Sequence, residues 1–242
     1  MLTLPSDQAV DAAVGRMRAS LVAPALELAV AGYFAEPEFA GVTFTDLGRN
    51  PPLEIIPDDL VAVALLDITW RPQVVRILLD LRRREFGDLL TAVPHDVDLW
   101  NASDAHLGHV DVLWDALTAV DGIGTASATK LLARKRPRLC PISDNVVIRA
   151  VDVPGRTWDV LRRLLQDPAA RSDIEALRPP AAAAVSLLRI LDVALWVSHS
   201  ETAAARRMRH SVRLFRDSDV RDVRPSSDDR LRHRKLRSPE FG

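Results

Sequence analysis

The chain has 242 residues, 48% hydrophobic and 27% charged, enough apolar material for a packed core and unlike a disordered composition. Its net charge of −1 hides a split: residues 206–242 carry 12 Arg or Lys against 6 Asp or Glu, leaving 1–205 at −7, so the body is excluded as a generic nucleic-acid binder and any DNA contact must come from a local patch or the tail. The lone Cys140 excludes an intramolecular disulfide framework and a four-cysteine metal or iron–sulfur site; with Arg189 and Asp192 inside the most apolar stretch and no basic-then-apolar leader, neither a membrane span nor a secretory signal is expected.

In chain order, the first regular signal is strand-like: Gly41-Val42-Thr43-Phe44-Thr45, with Val42 and Phe44 on one side. Everything after it reads as helix. Pro57-Asp58-Asp59 opens an apolar stretch through Leu66, with acids in the first turn. Arg71-Pro72 opens another, with Val74, Val75, Leu78, Leu79 and Leu81 at helical spacing. The segment from Leu107 to Val120 puts Val110, Leu113, Trp114 and Leu117 on one face. A helix from Thr125 to about Lys135 follows Gly124, and Ser143 or Asp144 begins the next after Pro141. The stretch around Leu187 to Trp196 is apolar nearly all round, which predicts a central, buried helix. From Arg206 the chain is arginine-rich without sustained apolar periodicity, which predicts disorder over 206–242; its last five residues look like a cloning remnant.

Residues 107–151 are the informative segment. Gly122-Ile123-Gly124 sits between two predicted helices. The glycines permit close backbone approach and Ile123 can plug the corner. The N–H groups of Gly124 and Thr125 then open a helix, a setting suited to one DNA phosphate. Lys130, Arg134, Lys135, Arg136 and Arg138 follow and read as a basic DNA-facing run. The competing reading is a plain helix-helix turn with a solvated basic face. Asp144, taken alone, reads as a helix cap.

Taken together, Gly122-Ile123-Gly124, a helix, a short basic loop, Pro141, Asp144 and Arg149 resemble the helix-hairpin-helix DNA glycosylase superfamily. The resemblance covers about 107–151, and the chain as a whole also resembles a bacterial family of unknown function through Lys-Leu-Leu-Ala-Arg-Lys-Arg-Pro-Arg-Leu and Ile-Leu-Asp-Val-Ala-Leu-Trp. The superfamily resemblance implies an all-α, two-lobed fold, with one lobe from 1–54 and 144–205 and the other from 55–143, ending in the hairpin. It implies Asp144 as the catalytic carboxylate, with Gly122, Ile123, Gly124, Thr125, the basic run and Arg149 on double-stranded DNA. Asp121 stands where the superfamily has proline. Thr125-Ala126-Ser127 stands where its bifunctional members carry a nucleophilic lysine, which implies a monofunctional enzyme.

Such chemistry needs a carboxylate near a sugar C1′ that becomes positively charged, and a pocket for the flipped base. Of the five tryptophans, Trp70 and Trp100, near predicted helix ends, are the aromatic pocket candidates; Trp114 and Trp196, at helical apolar positions, read as core, and Trp158 is left unassigned. Asp67 is either a cleft residue or a cap. His106 and His109, with Asp104 and Asp111, read as a solvated helix start rather than a metal site, and no cofactor fingerprint occurs, so neither metal nor cofactor is expected. Two other readings stand beside the glycosylase: a non-catalytic DNA- or partner-binding module, and a relative acting on a nucleoside or small molecule. The composition points to a cytoplasmic protein; the oligomeric state is not legible.

Overall fold

The computed structural model describes residues 5–22 and 25–210; over these the chain is all-α, without a strand. The expectation of disorder over 206–242 fails at its start, since 203–210 is helical with Met208 buried; from residue 211 on it lies outside the described residues. Helix α1 (Asp7–Leu21) begins at Ser6, whose hydroxyl accepts from the Ala9 N–H, and buries Val10, Ala13, Met17 and Leu21 at helical spacing. Helix α2 (Leu26–Ala35) follows and buries Tyr33 and Phe34 near its end.

The expected strand over 41–45 is instead a turn at Gly41, φ +50°, leading into one helical turn, α3 (Thr43–Asp46). The apolar side chain that suggested a strand, Phe44, is 3% exposed. Its carbonyl does not enter a ladder. Arg134 donates to the carbonyls of Phe44, Thr45, Leu47 and Arg49, so one guanidinium satisfies acceptors that a neighbouring strand would have taken.

The remaining helices are α4 (Pro57–Ala64), α5 (Pro72–Arg76), which continues as a π-turn over Ile77–Leu81, α6 (Arg83–Ala92) and α7 (Asp104–Thr118), capped by Ser103. Then come α8 (Thr125–Lys135), α9 (Asn145–Val151), α10 (Thr157–Gln166), α11 (Pro168–Ala176) and α12 (Leu187–His199). Of these, α4, α5, α7, α9, α11 and α12 start at a proline, Ser or Asp, while Arg82, Gly124 and Arg156 precede α6, α8 and α10. Nine of the 13 residues of α12 are buried, as its all-round apolar pattern predicts. Each fully buried Leu, Ile or Val there contributes about 1.5–3 kcal/mol.

One apolar core runs from Val10 to Met208. Helix α12 packs on α2, α9 and α11, α10 packs on α1, and α8 lies against α4 and α7. The loop from α8 to α9 carries Asp144 into the space between α8, α12 and the end of α2.

Candidate functional site

The hairpin forms where Gly122-Ile123-Gly124 predicts it. Gly122 has φ +97°, a conformation that favours glycine, and Ile123 is 5% exposed, plugging the corner. Gly124 is the cap of α8; its N–H donates to Ser127 Oγ at 3.1 Å. Gly122, Gly124 and Thr125 are exposed. Asp121 stands out from this loop and is tied to Gln73 at 3.0 Å and to Arg71 at 3.5 Å.

The basic run does not form the expected surface. Lys130, Arg134, Lys135 and Arg136 are all buried, at 8%, 2%, 4% and 0% exposure. Lys130 donates to the Leu66 carbonyl at 2.8 Å. Lys135 donates to Asp59 at 2.9 Å and to Asn50 at 2.7 Å, and Arg134 reaches the other Asp59 oxygen at 3.3 Å. Arg136 donates to the carbonyls of Leu90, Val93, Pro52 and Lys135. Burial lowers the Lys135 amine against the pull of Asp59. Arg138 is half-exposed but closed on Asp98 as a bidentate pair at 2.6 and 2.8 Å. These cations fill a structural demand for donors. Of the expected DNA contacts, the hairpin residues Gly122, Gly124 and Thr125, together with Arg149 on α9, remain exposed.

Asp144 caps α9. Its Oδ1 accepts from the N–H groups of Val146 and Val147 at 2.9 and 3.1 Å. Oδ2 lies 3.8 Å from Lys130 Nζ, and the side chain is 18% exposed. Capping therefore uses one oxygen and leaves the other at the wall of a cleft of about 310 Å³. The loop before it is braced: Ser143 N–H donates to Thr129 Oγ1 at 3.1 Å, and Trp158 Nε1 donates to Ser143 Oγ at 2.9 Å.

The same cleft is lined by Tyr33, Phe39, Trp196, Lys130, Arg189 and Asp192. Tyr33 and Phe39 stack at 4.9 Å, and Trp196 meets both edge-on at 5.6 and 5.7 Å. Arg189 donates to Asp192 and, at 2.9 Å, to the Tyr33 hydroxyl. Burial raises the Tyr33 phenol, with Arg189 pulling the other way. Burial also raises the Asp192 carboxyl; Arg189 opposes this and the charge of Asp144 adds to it. Exposed Asp67, at φ +61°, and exposed Glu38 complete an acidic edge, so Asp67 is a cleft residue.

Trp70 and Trp100 are not in this cleft. Trp70 Nε1 donates to the Leu60 carbonyl at 2.8 Å, and the Arg171 guanidinium lies 5.2 Å from the Trp100 ring centre. The aromatic wall comes from Tyr33, Phe39 and Trp196, which sequence reading left unassigned or in the core. One signal pointed there: Arg189 and Asp192, one helical turn apart in an otherwise apolar helix, can stand in a buried α12 only as a pair. A second cavity, about 480 Å³, lies between Trp114 and Trp158 and is lined by Asp111, Thr129 and Ser143 rather than by Asp144. No group of three or more His, Cys, Asp or Glu suited to a metal occurs among the described residues; His106 Nδ1 accepts from the Ser103 N–H in a helix cap. No described helix is long and apolar enough to cross a membrane.

A family model described as a family of unknown function (DUF6308) matches residues 27–199, which takes in α8, the Asp144 loop and α12. No curated protein and no solved structure matches the chain.

Proposed function

Because the chain belongs to this family of unknown function, we propose its activity from the cleft itself: a cytoplasmic, monofunctional DNA glycosylase that hydrolyses the N-glycosidic bond of a base flipped out of duplex DNA, with Asp144 as the catalytic carboxylate. One observation carries the reading. Asp144, held by two backbone N–H groups, shares a base-sized cleft with a stacked aromatic wall. Pockets of a few hundred cubic ångströms lined by aromatics with a few fixed polar groups suit a small planar ligand. Water attacks C1′, the C1′–N bond breaks with its electron pair leaving on the base, and the departing base takes a proton. Asp144 stabilises the positive sugar and accepts the proton of the water. Residues 125–127 offer no amine, and Lys130 is bonded to a carbonyl, so the products are a free base and an intact strand with an abasic site.

The two-lobed arrangement belongs to this proposal. The packing of α12 on α2, α9 and α11, and of α8 on α4 and α7, supports it, with the cleft at the seam. Duplex contact rests on the hairpin at Gly122–Thr125 and on Arg149. A second reading, hydrolysis of a free nucleoside in the same cleft, is favoured by the burial of the basic run and by the Glu38 and Asp67 carboxylates. The test is base release from a panel of alkylated, deaminated and oxidised duplexes, with free nucleosides in parallel. Wild type should release a base and Asp144→Asn should not, while keeping DNA affinity. Activity intact in Asp144→Asn would sink the assignment; release from nucleosides alone would establish the second reading.

A further inference from the structure

Asp192 is the one acid in the middle of α12, 8% exposed and set in the wall of the Asp144 cleft. Its Oδ2 takes the Arg189 guanidinium, and no N–H or O–H among the described residues donates to its Oδ1. Oδ1 is not sealed off as Arg189 Nε is: it opens on the cleft, where water or a ligand supplies its donor. Arg189 cannot: its Nη2 is committed to Tyr33 and its Nη1 to Oδ2, and its Nε is shut off from both solvent and hydrogen-bond partners. The Asp144 oxygens are taken up by the α9 cap and the neighbourhood of Lys130. The cleft thus holds an acceptor awaiting a donor, beside the aromatic faces of Tyr33, Phe39 and Trp196.

We propose that Asp192 is the specificity-determining residue of the cleft and that it selects nucleobases bearing an exocyclic amino group over bases with a carbonyl or a C–H in its place. The inference rests on the reading of the cleft as a nucleobase site. The ring stacks or edges against the aromatic wall, which tolerates any base. The amino group donates to Asp192 Oδ1, as carboxylates accept from the amino group of cytosine in base recognition. A carbonyl in that position would face the carboxylate with no proton between two acceptors, and would be rejected. Asp144 then meets the sugar side of the same ligand and does not read the base.

Two pairs of ligands test the amino group: guanosine against inosine removes it alone, and cytidine against uridine replaces it with a carbonyl and puts a proton on N3. Calorimetric titration of the full chain at pH 8 should show the amino member of each pair bound about tenfold tighter or more, since one base-edge contact is worth about 1–3 kcal/mol. Asp192→Asn should collapse both ratios towards one. Equal binding within both pairs by the wild type, tighter binding of uridine or inosine, or no nucleoside binding at all overturns the proposal without any variant. Should Asp192→Asn prove unfolded by its melting curve, the wild-type ratios still decide. The two proposals fail separately. Amino-selective binding without base release from any substrate leaves this one standing and removes the hydrolase. Asp144-dependent release that is indifferent to the amino group does the reverse.

Discussion

Lys135 Nζ lies 2.9 Å from Asp59 Oδ2, with both side chains at 1% exposure or less, and the other Asp59 oxygen faces Arg134 at 3.3 Å. A single buried carboxylate therefore balances two buried cations at the foot of α4, while also accepting from the Ile56 N–H. Removing one partner of such a set strands the others without water. Asp59→Asn should cost about 3–5 kcal/mol, read as a lower urea midpoint at unchanged slope. A loss within about 0.5 kcal/mol, the range of ordinary surface substitutions, would mean that the network is not closed in solution.

The two hairpin glycines should behave differently. A Cβ on Gly122 would lie 3.1 Å from Val74 Cγ2 and 3.2 Å from Arg71 Cδ, at φ +97°. A Cβ on Gly124 meets nothing within 4 Å, and its φ is −98°. Gly122→Ala should destabilise by about 1–3 kcal/mol, and Gly124→Ala should melt close to wild type. Duplex affinity then has its cleanest probe in Gly124→Val, where the fold is kept and only the approach of a phosphate is hindered. Equal melting losses at both positions would contradict this hairpin geometry.

Tyr33 is the only tyrosine of the chain, so its ionisation can be followed by absorbance without ambiguity. Its phenol is raised above the ordinary value of 10.0 by burial. In the window above that value the folded protein holds a proton that the unfolded chain releases. Stability contributed by the neutral phenol is thus present below pH 10 and lost as pH rises through the folded value. Titration should run late in the native protein and return to about 10 in denaturant. Native titration at the ordinary value would place the phenol in solvent and open the aromatic wall.

Cys140 is 1% exposed and burial pushes its thiol up. A thiol that stays protonated and out of reach does not attack disulfides. An aromatic disulfide reagent should label the native chain only at the rate of global opening, and label it at once in denaturant. Fast stoichiometric labelling of folded protein would exclude the burial described here.

Asp144 separates capping from catalysis in stability alone. Asn is itself a good cap, so Asp144→Asn should melt near wild type, and Asp144→Ala should lose about 1 kcal/mol. Two substitutions that differ in stability but agree in lost base release identify the charge, and not the cap, as the catalytic element.

The helices read from the sequence were legible because their signals are local. Pro57 and Pro72 stand at starts, and α12 is apolar around its whole circumference, whereas α1 and α2 were not singled out. Asp144 was legible for the same reason: cap, proline and helix lie within a few residues. The fate of the basic run was not, since Arg134 and Arg136 are matched to carbonyls between 43 and 90 residues away, and a charged segment reads the same whether it faces water or unpaired carbonyls. The aromatic wall was missed because Tyr33, Phe39 and Trp196 meet only when α2 and α12 pack. The apparent strand at 41–45 failed because a side chain on α8, and not a neighbouring strand, holds its backbone.

That last arrangement bears on how the protein is made. The segment 44–52 leaves the ribosome with carbonyl groups whose donors, Arg134 and Arg136, lie 84 to 90 residues further along the chain. At about 5–20 residues per second, it waits roughly 4–18 s for them. During synthesis the early part of this fold is a guest without a host, and α8 is the host that arrives late. A chain that ends before residue 134 lacks both guanidinium groups that hold the path through 44–52.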